Sequence, residues 1–229
     1  DYFRGHSLSL LYELNMRKPD YAMNMLPGSG WIIKSNLSYE WNQFMDGFAV
    51  SEEYSTFGAN FVSHNTARIT AEAERHFTLN KEKKIVATLK GIGGGISEPN
   101  IDDFFHFFGG GLPGIKGYTF YEESLTGPYY FVGTAVLRLP LFLEQNYTWA
   151  QFNMQNLSLG GIFQFGSAIQ NSLSEIIEDD HYKLSAGLEC RLHGFSFYSY
   201  PSAISYEYHQ PISDLDEQGK HYFTLLFDY

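Results

Sequence analysis

Apolar and polar residues alternate one for one along most of this chain. Around Cys190 the even positions Tyr182, Leu184, Ala186, Leu188, Cys190 and Leu192 are apolar. Their odd neighbours Lys183, Ser185, Gly187, Glu189, Arg191 and His193 are polar or very small. A period of two marks a strand with two chemically different faces, whereas a helix needs a repeat near 3.6. Leu8, Leu10, Tyr12, Leu14 and Met16 alternate in the same way with Ser7, Ser9, Glu13 and Asn15. Trp31, Ile33, Leu37, Tyr39 and Trp41 do so with Ile32, Lys34, Asn36, Ser38, Glu40 and Asn42. Further alternating stretches cover 66–79, 83–95, 127–139, 155–168, 202–210 and 221–229. The pattern predicts an all-β protein of about nine strands, many longer than the roughly 5–6 residues usual in globular sheets.

Two architectures use long two-faced strands. A soluble sandwich turns its apolar face inward and its polar face to water. A transmembrane barrel does the reverse, with strands of about 9–11 residues tilted near 45°. Trp31 and Trp41 share one face with Tyr39 and stand ten residues apart. At that tilt the two indoles are separated by ~23 Å along the membrane normal, close to the ~25 Å height of an apolar band. The three residues therefore read as membrane-interface aromatics, and the antiparallel transmembrane barrel is the expected fold. Arg75 interrupts this face among Ala71, Ala73 and Phe77, and is expected near the membrane edge, reaching outward to water.

Composition points the same way. Aromatics make up 17 % of the chain and charged residues only 18 %, against about 25 % charged in soluble domains. The net charge of −11 argues against a broad nucleic-acid footprint. The single cysteine, Cys190, permits neither an intrachain disulfide nor a zinc cage. No run of 18 apolar residues suggests a membrane helix.

Catalytic and cofactor signals are weak. The eight histidines show no His-x-x-x-His spacing, and Gly28-Ser29-Gly30 is not a Gly-x-Ser-x-Gly elbow. No metal, cofactor or small-molecule substrate is expected, and no enzymatic activity. Glu189 and Arg191 share a strand face and suit a salt-bridge ladder. Asn36, Asn146 and Asn156 head glycosylation sequons, but two of them fall within strands.

Connections fall into two classes. Short links are expected at 80–82 and 194–201, and long loops at 43–65, 96–126 and 169–181, the last acidic. Short turns at one rim and long loops at the other are the asymmetry of outer-membrane barrels.

The most distinctive segment runs from Phe104 to Tyr118 through Gly109-Gly110-Gly111 and Ile115-Lys116-Gly117-Tyr118. Gly127-Pro128, a strand from Tyr129 to Leu139, and Pro140 follow. This resembles the bacterial surface-antigen (BamA-type) outer-membrane barrel superfamily, in its C-terminal part. In that family a glycine-rich stretch leads to a (Val/Ile/Leu)-Arg-Gly-(Phe/Tyr) motif on an extracellular loop folded into the lumen. Ile115, Lys116, Gly117 and Tyr118 match it, with Lys116 where arginine is usual. Arg138 and Pro140 match the family's Glu-x-Arg-x-Pro strand ending, with Val136 in the acidic position. Gln164 and Gly166 match a Phe-x-Asp-x-Gly pattern, with Gln164 replacing aspartate. The resemblance implies that Arg138, Gln164 and Gly166 receive the loop inside the barrel, its usual ion pair reduced to a Lys116–Gln164 hydrogen bond.

Five strands follow the loop motif in the family's sixteen-stranded barrel, and five are expected here. The nine strands then correspond to the C-terminal part of a longer barrel. The last stretch, His221 to Tyr229, alternates and ends on an aromatic residue. By the same resemblance Phe223, Leu225, Phe227 and Tyr229 form the terminal-strand signal that assembly machinery reads. The implied role is insertion or translocation of proteins in the bacterial outer membrane, or an envelope scaffold, as in relatives fused to a soluble β-propeller. Expected partners are membrane lipid and other envelope proteins, with no nucleic acid. A barrel anchor for a patatin-like lipase and a porin-like channel are the competing readings.

Overall fold

The computed structural model describes residues 3–18, 29–50, 57–170, 182–197, 200–214 and 216–227. Among the described residues nine long strands appear where the alternation predicts them. They are β1 (Phe3–Asn15), β2 (Gly30–Val50), β3 (Phe57–Asn80), β4 (Ile85–Ile96), β7 (Tyr129–Phe142), β9 (Phe152–Ile169), β10 (Lys183–Ser196), β11 (Tyr200–Pro211) and β12 (Lys220–Phe227). The described residues also include three short strands, β5 (Phe107–Phe108), β6 (Thr126–Gly127) and β8 (Tyr147–Trp149).

All the long strands pair antiparallel in one ten-stranded sheet, in the order β1-β2-β3-β4-β7-β9-β10-β11-β12, with β8 beside β9. β5 and β6 form a separate ribbon. Among the described residues the sheet is open: β1 and β12 are its two borders and do not pair with each other.

One expected loop is instead strand. Residues 43–50 continue β2, and residues 57–65 begin β3, so these two parts of the expected 43–65 loop are strand; 51–56 lie outside the described residues. The alternation falters because the register shifts between Met45 and Phe48, where Gly47 takes a φ of +114°. A bulge accommodates the extra residues and the ribbon resumes beyond it. The expected turn after Asn80 is present: the Asn80 side chain accepts from the Lys83 amide at 2.8 Å. The acidic segment 169–181 falls almost wholly outside the described residues.

The two faces of the sheet are buried in the order opposite to a soluble sandwich. On β10 and β11 the polar residues Ser185, His193, Ser205 and His209 are essentially inaccessible, while Leu188 keeps 69 % of its surface. The exposed apolar face runs across the sheet through Leu8, Leu37, Ile69, Leu89, Leu137, Phe163, Leu188 and Phe223. Trp31, Tyr39 and Trp41 lie on this face and are exposed, the last two rings edge-on with centroids 4.8 Å apart. Arg75 does not reach outward from the apolar face. Its guanidinium stacks over the Trp31 ring at 4.2 Å and the Phe77 ring at 4.6 Å, a cation–π arrangement that keeps the charge on the sheet.

The segment between β4 and β7 covers the polar face. Its first lobe anchors part-way along β3, where Ser97 and Ala67 exchange two hydrogen bonds of 2.9 Å. Ile96, Ile101, Phe105 and Phe107 then form a dry cluster with Phe44 and Tyr130, and Arg68 lies over the Phe107 ring at 4.1 Å. The second lobe, 109–118, bends down onto β7, β9, β10 and β11.

Candidate functional site: a loop clasped to the polar face

The bend of the second lobe is set by its own backbone. Gly109 and Ile115 bond across it, the Ile115 amide donating to the Gly109 carbonyl at 2.7 Å. Gly117 has a φ of +102°, a conformation that residues with a Cβ rarely adopt. Around this turn Ile115 and Tyr118 are buried while the Lys116 side chain stays partly exposed.

Ile115, Tyr118 and Leu125 are fully buried and pack with Val132 and Tyr130. Gly166 makes room for this packing: a Cβ there would lie 2.4 Å from the Phe131 carbonyl oxygen and 3.0 Å from Ile115 Cδ1. The Tyr118 hydroxyl donates to the Leu184 carbonyl at 2.9 Å. Burial pushes this phenol above its ordinary pKa, so it remains the donor that this contact requires.

Gln164 grips the loop with both ends of its amide. Its Oε1 accepts from the Lys116 amide at 2.9 Å. Its Nε2 donates to the Gly114 carbonyl at 3.1 Å and to Thr134 Oγ1 at 3.2 Å. The Lys116 Nζ pairs with Glu207 Oε2 on β11, which also accepts from His209 Nε2 at 2.9 Å. The Gly117 amide donates to the Tyr222 hydroxyl on β12 at 2.9 Å.

Below the loop lies a second ionic group. Arg138 Nε donates to Glu189 Oε2 at 2.8 Å, and Arg191 Nη2 pairs with Glu189 Oε1. Arg138 stands on β7 and Glu189 on β10, with Gly160 of β9 opposite both. A Cβ at Gly160 would come within 2.9 Å of Glu189 Oε2. The missing side chain is the gap through which arginine and carboxylate meet across an intervening strand.

These groups line a cavity of about 320 Å³ between the loop and the sheet. Its wall carries Lys90, Lys116, Arg138 and Arg191 against Glu74, Glu189 and Glu207. Each buried carboxylate is held by cations, as burial of charge requires. Among the described residues no cluster of histidine, cysteine, aspartate and glutamate is placed to hold a metal ion.

No protein-family model matches the chain, and no curated protein matches it.

The structure brings together most of the residues singled out from the sequence. Ile115, Lys116, Gly117 and Tyr118 sit on the polar face, and Gln164 and Gly166 lie directly beneath them. Two partnerships differ from expectation. The Lys116–Gln164 bond is formed by the Lys116 backbone amide, while its ammonium finds a carboxylate after all, Glu207, ninety-one residues on. Arg138 binds Glu189, not the loop, although it lines the same cavity. The ladder pairing of Glu189 with Arg191 is present. Glu207, His209 and Tyr222 were not singled out. Their signal was a lone acid on the polar side of strand 202–210, readable only once Lys116 was known to face it. Phe223 and Leu225 lie on the exposed apolar face, the Phe227 backbone pairs with Ser202, and Tyr229 lies outside the described residues.

Proposed function

We propose that this chain is part of a bacterial outer-membrane β-barrel of the surface-antigen type, assisting the insertion or translocation of other proteins. The observation that carries the reading is the inversion of the two faces. Leucine, phenylalanine and tryptophan rows are exposed while serine, glutamate and histidine rows are covered. In water such a sheet would hide its apolar rows. Against hydrocarbon the exposed rows are the favourable ones, and the polar rows line an aqueous interior.

The clasped loop supports the surface-antigen type within that class. The segment that matches the family's loop motif bends onto the polar face and is held there by side chains from β9, β11 and β12. A loop fixed in this way narrows the interior, which favours a role in handling other chains over free passage of solutes. The open borders of the sheet suit a barrel to which further strands contribute.

The first test is physical. The native protein, extracted in mild detergent, is expected to fractionate with outer membranes and to migrate differently on a denaturing gel with and without boiling. Identical migration together with recovery in the soluble fraction rejects the membrane reading. The second test is functional. Weakening the loop clasp with Gln164→Ala in the native host is expected to lower the amounts of other outer-membrane β-barrel proteins several-fold. Unchanged amounts of those proteins, with altered uptake of small solutes, would favour a diffusion channel.

A further inference from the structure

The apolar face carries one feature that the loop and its clasp do not use. Arg75 stands in a cross-strand row with Trp31, Leu89, Ala135 and Phe163, all apolar neighbours. Among the described residues no carboxylate lies within ion-pair distance of it. Its cation–π contacts are with the Trp31 and Phe77 rings, and among the described residues its N–H groups make no hydrogen bond. A guanidinium carries five such donors, and a cation held against an apolar surface requires an anion.

Beside Arg75 the surface opens into a trough of about 520 Å³. Its floor is unusually low because Ala73, Gly91 and Gly133 oppose one another in adjacent strands. A Cβ at Gly91 would have no neighbour within 4 Å, so the trough is open space. Phe165 forms the far wall, its ring lying across Gly133, and Trp31 forms the near one. Arg75 sits six residues before the 81–84 turn, on the half of β3 that leads to the rim opposite the 97–128 segment.

We propose that this face binds an anionic phospholipid, its phosphate held by the N–H groups of Arg75 and one acyl chain lying in the trough over Ala73 and Gly91, against the Phe165 ring that covers Gly133. The inference rests on the reading that the apolar face meets a membrane. Charge complementarity selects the headgroup: a planar donor fork suits two phosphate oxygens, and a lipid whose head bears no net charge returns a second cation to the site. The trough supplies what a free phosphate ion would not use, an apolar channel beginning at the charge. The aromatic walls fix the guanidinium so that its donors do not sweep away from the channel.

Trp31 makes the site self-reporting. The protein is refolded into vesicles in a Trp41→Phe, Trp149→Phe background, leaving Trp31 as its tryptophan, and quenched by lipids brominated on the acyl chain. At equal mole fraction, brominated phosphatidylglycerol is expected to quench Trp31 at least threefold more than brominated phosphatidylcholine. Arg75→Gln abolishes that preference. Gly91→Leu, which fills the trough, lowers quenching by both lipids. Equal quenching by the two lipids in a heat-modifiable, inserted protein overturns the lipid site while leaving the membrane reading intact. A preference that survives Arg75→Gln overturns the assignment of Arg75. Failure of the chain to insert at all, judged by the boiled and unboiled bands, removes the membrane reading and this inference with it.

Discussion

Glu189 on β10 and Glu207 on β11 are direct cross-strand partners, and both carboxylates are buried on the polar face. Like charges in that relation repel. The sheet resolves the conflict by sending each carboxylate to different cations: Arg138 and Arg191 hold Glu189, and Lys116 holds Glu207. The loop therefore contributes a charge that the sheet itself needs. Docking of the loop and stability of the β10–β11 pair are coupled.

That coupling gives a measurable non-additivity. Glu207→Gln or Lys116→Met alone leaves a buried charge without its partner, a loss of about 3–5 kcal/mol in fully buried pairs, less here because Lys116 is partly exposed. The double variant is expected to lose less than the sum of the two. Denaturant unfolding in detergent micelles measures the difference; strict additivity would disconnect loop and strand.

Trypsin reports the clasp directly, because Lys116 is the single lysine or arginine between 97 and 126. With the loop docked, the bond after Lys116 is protected. Gln164→Glu keeps an acceptor for the Lys116 amide but removes the donor to Gly114 and Thr134, bonds worth about 0.5–1.5 kcal/mol each. Cleavage at Lys116 is expected to accelerate several-fold in this variant and in Gln164→Ala. A rate equal to that of the parent protein would show that the clasp does not hold the loop.

Gly160→Ala puts a methyl group where Arg138 reaches Glu189. The expected cost is about 1–3 kcal/mol, read from the unfolding midpoint. It should shrink in a Glu189→Gln background, where the ionic contact is already lost. A full cost in both backgrounds would assign the effect to the backbone instead.

Leu188 is the sharpest probe of which solvent the apolar face meets. Leu188→Arg is expected to cost about 2–4 kcal/mol if the residue lies near the middle of a bilayer. On a water-facing surface the same change stays within about 0.5 kcal/mol. Refolding yield and unfolding midpoint in vesicles separate the two.

Much of this architecture was legible in the chain because strand alternation is local. Every long strand followed from side chains two residues apart, and so did the assignment of Ser185 and Glu189 to one face and Leu188 to the other. The β2–β3 ribbon was misread between 43 and 65 because a bulge at Gly47 breaks the period while the backbone pairing continues past it. The site was legible by half. Glycines and the Ile115–Tyr118 motif marked the loop, but the partner of Lys116 lies ninety-one residues away on another strand. No spacing rule reaches that far. The Arg138–Glu189 contact was hidden for a different reason: it depends on what Gly160 lacks.

Under the proposed membrane reading, the β2–β3 ribbon has a further consequence. β4 follows β3 only as far up as Arg68, whereas β3 begins at Phe57. Some eleven residues of paired strand therefore rise past that neighbour, about 36 Å at 3.3 Å per residue. If the clasped loop is on the extracellular side, as the family resemblance implies, this ribbon would stand in the external medium. A phage tail, an antibody or an adjoining cell would touch it first, and natural variation under such attack should concentrate there while the clasp beneath stays the same.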